Sequence, residues 1–235
     1  MSTVLSPRLM LVASYAQEYR RIADIGSDHA LLPLYLLQAN KIDYALCVEV
    51  ATGPYKINRS ALMNYIDQGK ADAILSFGID DIEPDIVDAI VIAGMGGLTI
   101  IEILKRRLDK AKAFDRLILQ PQNAQSEVRK FLIENQFKIT DEAIAREKNK
   151  FYEVICAAYS STPVAQRKEI YYEIPLLCIK NGLPHTLDFI SHKQKILKNI
   201  LRQTETSANP KAHQARQEAM QKYKELEEVK KCLSK

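Results

Sequence analysis

The chain has 235 residues, 47% hydrophobic and 26% charged, enough to bury one core of about 150 residues and still carry an appendage. Its net charge of +4 is unevenly spread: residues 1–165 hold 19 basic against 21 acidic side chains, and residues 166–235 hold 14 against 8. Cys47, Cys156, Cys178 and Cys232 show no Cys-x-x-Cys spacing, so neither a zinc motif nor a disulfide framework is expected, and free thiols fit a reducing cytoplasm.

Pro7-Arg8 opens an apolar stretch, Leu9 to Ala16, that Gln17-Glu18 closes, and this reads as a first helix rather than a leader. No apolar run approaches a membrane span. Ile22–Ile25, Tyr44–Val50, Ala73–Leu75, Ala89–Ala93 and Arg116–Leu119 then read as strands. Amphipathic stretches at 31–39, 54–65, 98–108 and 126–131 alternate with them. That order predicts an α/β fold with a mostly parallel, Rossmann-like sheet covered on both faces. Phe137–Ile144 and Phe151–Tyr159 follow with only Ala145–Lys150 between them, so they are expected to close the sheet as an antiparallel hairpin.

Ser160-Ser161-Thr162-Pro163 reads as a boundary, giving a sheet domain over 1–162 and a helical domain over 163–235. In the second, Leu187, Ile190, Leu197 and Leu201 recur at helical spacing, as do Met220, Tyr223, Leu226 and Val229, with Asn209-Pro210 between the runs. Two such stripes predict an antiparallel helical hairpin or coiled coil. Its excess of basic residues suits a polyanionic partner or a solvated helix face.

The ends of four strands carry the chemistry. Ala23-Asp24-Ile25-Gly26-Ser27-Asp28-His29-Ala30 places two carboxylates, a glycine and a histidine where a strand gives way to a helix, the position at which open α/β sheets hold ligands. With one glycine rather than Gly-x-Gly-x-x-Gly, the loop favours a ligand without a pyrophosphate. Asp28 as a helix cap and Asp24 as a turn residue are the bland alternatives. Glu49, about 25 residues on, sits where an acidic side chain takes ribose hydroxyls, or else simply faces water. Gly94-Met95-Gly96-Gly97 concentrates glycines where a close approach or a positive φ is needed, for a ligand or for packing. Gln120-Pro121-Gln122-Asn123 offers amide donors and acceptors that match the Watson-Crick edge of a base; an ordinary polar turn is the other reading.

Taken with Leu5-Ser6-Pro7-Arg8-Leu9, Glu49-Val50, Gly53-Pro54, Ile92-Ala93, Leu117-Ile118-Leu119 and Tyr152-Glu153-Val154, this set resembles the bacterial tRNA (adenine-22-N1)-methyltransferase family over nearly the whole chain. The resemblance implies a class I methyltransferase fold, S-adenosyl-L-methionine as donor, and a C-terminal coiled coil that helps hold tRNA. It implies a cofactor site of Asp24, Gly26, Ser27, Glu49, Val50, Gly78, Ile79, Gly94 and Met95, with Asp24 and Gly26 at the methionine end and Glu49 at the ribose. Asp28 matches the family's catalytic aspartate. Arg8, His29, Gly96, Gly97, Gln120, Pro121, Gln122 and Asn123 are the candidates for substrate contact.

Phe77 stands where the family often has Asp or Asn, which leaves the cofactor's adenine to backbone groups or to Asp80 or Asp81. Leu31 replaces a common tyrosine. The basic tail, with Lys105, Arg106, Arg107 and Arg116, is expected to grip phosphates. A cytoplasmic monomer without a metal follows as the working expectation. An NAD-dependent oxidoreductase on a similar sheet and a non-catalytic RNA-binding adaptor are the rival readings.

Overall fold

The computed structural model describes residues 3–207 and 209–233, which divide into two compact units, 1–166 and 167–235. The residues between Tyr159 and Glu169 form neither helix nor strand.

In the first unit, seven strands form one sheet: β1 (Arg21–Ile25), β2 (Tyr44–Glu49), β3 (Ala71–Leu75), β4 (Ala89–Met95), β5 (Arg116–Pro121), β6 (Phe137–Glu147) and β7 (Lys150–Tyr159). Their order is β3-β2-β1-β4-β5-β7-β6. The first five are parallel, whereas β7 runs antiparallel to both β5 and β6. The order reverses between β1 and β4, so their carboxyl ends diverge into a crevice. The central strands are apolar on both faces and buried throughout: Ile22, Ala23, Ile90, Val91, Ile92, Leu117 and Ile118 are sealed from solvent. This burial is what a sheet covered by helices on two sides requires.

Those helices are α1 (Pro7–Ala16), α2 (Leu31–Gln38), α3 (Thr52–Ile66), α4 (Gly97–Arg106), α5 (Leu108–Ala113) and α6 (Gln125–Glu134). Ser6 caps α1 through its hydroxyl, which accepts from the Leu9 N–H at 3.4 Å, and Pro7 takes the first helical position, where its missing N–H costs nothing. The amphipathic run expected to continue to Leu108 breaks at Arg107, whose φ of −132° is not helical, and restarts as α5.

The hairpin is tighter than its sequence implied. Ala145 and the charged Arg146 and Glu147 belong to β6, and only residues 148 and 149 turn the chain, Lys148 at φ +55°. These polar positions stay extended because each has a partner: Glu147 Oε1 accepts from the Arg8 N–H at 2.6 Å, and the Arg146 guanidinium lies over the Phe151 ring.

Behind β6 and β7 lies a fully buried ion triad. Arg129, on α6, donates from Nε to Glu142 at 2.7 Å and from Nη2 to Glu153 at 2.6 Å. The two carboxylates hold the guanidinium charged against its burial. This fixes α6 on the hairpin and explains why an acidic residue sits in the otherwise apolar run Tyr152-Glu153-Val154.

The second unit contains α7 (Ile170–Glu173), α8 (Leu176–Lys180), α9 (Thr186–Gln203) and α10 (Pro210–Leu233). α9 and α10 pair in antiparallel register: Arg216 reaches the Leu201 carbonyl, the Lys198 ammonium lies over Tyr223, and Lys230 donates to Ser191. The seam keeps Ile190, Leu226 and Val229 of the expected stripes and departs from them at two positions. Leu187 and Met220 face solvent, while Phe189, Ile190, Ala219, Leu226 and Val229 are buried. A heptad reading cannot anticipate that small Ala219 occupies the contact instead of its neighbour Met220.

Replacing Arg129 with Met strands two buried carboxylates and is expected to cost roughly 3–5 kcal/mol of stability, read from urea denaturation. Adding Glu142→Gln and Glu153→Gln should restore most of that loss. A single substitution costing under about 1 kcal/mol would contradict the role of the triad.

Candidate active site

The first loop is built around a glycine that has to be one. Gly26 lies at φ +69°, its N–H donates to the Val48 carbonyl at 2.8 Å, and a Cβ there would collide with the Met95 methyl group. A single turn of 3-10 helix, Asp28–Ala30, follows, with His29 at φ +55° and Ala30 at φ +52°. Two consecutive non-glycine residues in the left-handed region are a stored strain of the kind found at binding sites. The Asp28 side chain projects into solvent, 88% exposed, with Oδ1 at 3.5 Å from His29 Nε2. The helix-cap alternative for Asp28 does not hold: α2 begins after Ala30 and has no side-chain cap.

Asp24, by contrast, is only 6% exposed. Burial pushes its carboxyl up to about 6, nearby Glu49 adds to the shift, and a hydrogen bond from Ser27 opposes it. The buried Cys47 thiol beside it is pushed upward by the same loss of water, so it stays neutral, at 3.6 Å from the Ser27 hydroxyl.

Glu49, at the end of β2, is also buried rather than facing water. Desolvation raises its carboxyl above the ordinary range, and a hydrogen bond from Asn58 works the other way. Asn58 was not legible as a site residue. From within α3 its Nδ2 donates to the Ser27 carbonyl at 2.7 Å and to Glu49 Oε1 at 3.0 Å. The available signal was an amide one helical turn before Leu62, the other buried residue of that helix.

Past the ends of β2 and β3, Val50 and Phe77 are exposed apolar side chains. The Phe77 ring lies under the Arg106 guanidinium at 5.1 Å, and Arg106 Nε pairs with Asp80 Oδ2 at 2.7 Å. Asp80 therefore faces an intramolecular cation rather than an open pocket. Ile79 is buried, so only its backbone is available to a ligand. Gly78, at φ +59°, lies against Ile103 of α4.

The glycine segment and the amide segment lock onto one another. A Cβ on Gly97 would come within 2.5 Å of the Asn123 carbonyl, and the Gly97 N–H donates to Asn123 Oδ1 at 3.1 Å. Gln120 is fully buried; its Oε1 accepts from Arg8 Nη1 at 2.7 Å and from Gln122 Nε2 at 3.3 Å, and its Nε2 donates to the Pro121 carbonyl. Of the three amides expected to face a base, Gln120 is thus committed to the protein itself, while Asn123, exposed, engages only its Oδ1. Gln122 alone borders the open space.

That space is a cavity of about 210 Å³ in the crevice between β1 and β4. It brings together Asp24, Gly26 and Asp28 from the first loop, Gly94 and Met95 from β4, and Arg8 and Gln122 opposite them. Ser27, Glu49, Val50, Gly78, Ile79, His29, Gly96, Gly97, Gln120, Pro121 and Asn123 stand behind or beside it rather than lining it. A buried carboxylate at one wall, without a cationic partner among the described residues, suits a ligand carrying positive charge. No group of acidic, histidine or cysteine side chains among the described residues has the arrangement of a metal site.

The family model described as tRNA (adenine(22)-N(1))-methyltransferase matches residues 22–229. The tRNA (adenine(22)-N(1))-methyltransferase of Bacillus subtilis is 38% identical over 158 residues, which span 65% of this chain and 64% of that enzyme, just under two thirds of its length. The crystal structure of the B. subtilis m1A22 tRNA methyltransferase TrmK superposes with a TM-score of 0.84 at 28% identity, covering 97% of this chain and all of that one. A Streptococcus pneumoniae structure in complex with S-adenosyl-L-methionine gives 0.82 at 30% identity over 97% of this chain and 100% of that chain. The chain belongs to the tRNA (adenine(22)-N(1))-methyltransferase family.

Proposed function

We propose that this protein transfers a methyl group from S-adenosyl-L-methionine to N1 of adenine 22 in tRNA, as a cytoplasmic monomer that needs no metal ion. The buried, cation-free carboxylate of Asp24 at the strand-order reversal carries this reading. A sulfonium cofactor with an α-ammonium group supplies the positive charge that this wall lacks. A hydride-transfer reading with NAD loses ground because one glycine, Gly26, stands where a pyrophosphate would require several.

Asp24 and the Gly26 backbone hold the methionine end, and Glu49 accepts from the ribose hydroxyls. Ser27, Val50, Gly78, Ile79, Gly94 and Met95 complete the cofactor surface, the buried Ile79 through its backbone only. When bound, the cofactor would supply an electrophilic methyl carbon: the N1–CH3 bond would form from the in-plane lone pair of adenine as the S–CH3 bond breaks, so that a neutral thioether leaves and the ring becomes cationic. Asp28, exposed at the mouth of the cavity, stabilises that ring charge and accepts from the exocyclic amine, orienting the base. Arg8 and Gln122 line the opposite side, and His29 stands next to Asp28.

The tRNA phosphates are assigned to the second unit. Lys195, Lys198, Arg202 and Lys224 lie on exposed faces of α9 and α10. The cations expected to help from the first unit are mostly spent: Arg106 pairs with Asp80, Arg107 with Asp109, and Arg116 donates to Tyr19 and Thr140.

Incubating the protein with unmodified tRNA and donor, then analysing digested nucleosides by mass spectrometry, should show 1-methyladenosine. The product should vanish when base 22 is changed to guanine. Methylation that survives the change, or none in the parent tRNA, refutes the assignment.

The Asp28→Asn variant should lose roughly 10²–10³-fold in kcat while S-adenosylhomocysteine affinity stays within about twofold. Undiminished turnover would remove Asp28 from the chemistry.

A further inference from the structure

We infer that Asn58 is a positioning residue that ties the two ends of the cofactor site into one rigid piece. The inference rests on the methyltransferase reading above. Its geometry is independent of that reading: Asn58 is fully buried, and its two Nδ2 hydrogens go to acceptors on different elements, the Ser27 carbonyl of the first loop at 2.7 Å and Glu49 Oε1 at the end of β2 at 3.0 Å. The hydrogens of a planar amide diverge at a fixed angle, so one side chain sets the separation of the methionine-end loop from the ribose carboxylate.

The other end of the amide shows why this is more than packing. Asn58 Oδ1 is buried with no hydrogen-bond partner, and an orphaned buried acceptor is a standing cost to stability. A side chain kept for the core alone would have the shape of leucine, as Leu62 has one turn later on the same helix. The amide is retained in spite of Oδ1 because of what Nδ2 does. By engaging Oε1, it leaves Glu49 Oε2 turned to accept from a ribose hydroxyl. By holding the Ser27 carbonyl, it keeps the Ser27 hydroxyl on Asp24, the hydrogen bond that favours the ionised form of that carboxyl.

The test uses the full-length protein and the near-isosteric Asn58→Leu variant, with two probes measured by calorimetry: S-adenosylhomocysteine, which carries ribose and amino acid, and 5′-methylthioadenosine, which carries ribose alone. Both affinities should fall about tenfold, the scale of one lost hydrogen bond to a charged group. The melting temperature should fall by about a few degrees, because the Ser27 carbonyl and the buried Glu49 Oε1 lose their donor, and the defect should appear in KM for the donor more than in kcat at saturating donor.

Should the leucine variant fail to fold, Asn58→Ser carries the same expectation for both probes. Unchanged affinities, or loss for S-adenosylhomocysteine with methylthioadenosine unaffected, would overturn the tie between the two ends. Failure of the wild-type protein to bind S-adenosylhomocysteine at all would overturn the methyltransferase reading as well, and so is distinguishable.

Discussion

The site depends on a carboxylate kept out of water. Asp24 is the penultimate residue of a strand whose neighbours on both sides are apolar and sealed, and the sheet order reverses beside it. Removing a carboxylate from solvent without a cation opposite raises its proton affinity. The crevice it borders is lined on the opposite side by Arg8 and Gln122. Glu49, drawn into the same buried region from the adjacent strand, adds to the upward shift and has no ion-pair partner among the described residues. Its one side-chain donor is a neutral amide.

Around that charge, close contacts leave little freedom. Gly26 yields its side-chain volume to Met95, and Gly97 yields its own to the backbone of Asn123 and Ala124, so the loops after β1, β4 and β5 interlock. The amide of Gln120 and the Oδ1 of Asn123 belong to this internal framework. Arg8 is held from three sides: by Gln120, by Glu147 at the end of the hairpin, and by the Tyr152 ring. The hairpin thereby reaches the cavity through α1, which gives the buried Arg129 triad behind it a part in positioning the site. Of Asp24, Asp28 and Glu49, Asp28 alone is open to solvent, at the edge of the cavity.

Much of this was legible because the signals were local. Apolar runs such as Ala89–Ala93 and Arg116–Leu119 are buried on both faces and leave an unambiguous period, and the polar residues that interrupt them fall at strand ends by the logic of a parallel sheet. Asp24, Gly26 and Asp28 were singled out on that logic, and the structure brings them to one cavity, with Glu49 buried at the end of β2. What escaped depends on contacts between distant segments. Nothing near Gln120 in sequence says that Arg8 will occupy its carbonyl, and nothing near Asn58 says that Ser27 and Glu49 will converge on it. The left-handed His29 and Ala30 carry no glycine to mark them. Residues 145–147 look like a charged turn until Arg8 and Phe151 supply the partners that keep them in β6. In the second unit spacing found Ile190, Leu226 and Val229 but not Ala219, a small residue outside the stripe that is buried while its neighbour Met220 is exposed.

The claim that Asp24 waits for a cation is tested most directly by counting protons during binding. With its carboxyl at about 6, the free protein holds the proton below that pH, and a cationic ligand expels it. Affinity for S-adenosylhomocysteine should therefore rise with pH up to about 6 and then level off. The sign for folding is opposite: a raised acid in the native state makes its largest contribution to stability while protonated, and loses it as pH climbs from about 4 through 6. Calorimetry in buffers of different ionisation enthalpy should find more than about half a proton released per cofactor near pH 5.5, almost none near pH 7.5, and none at either pH in Asp24→Asn. Binding without proton release near pH 5.5, or release that persists in the variant, would contradict the account.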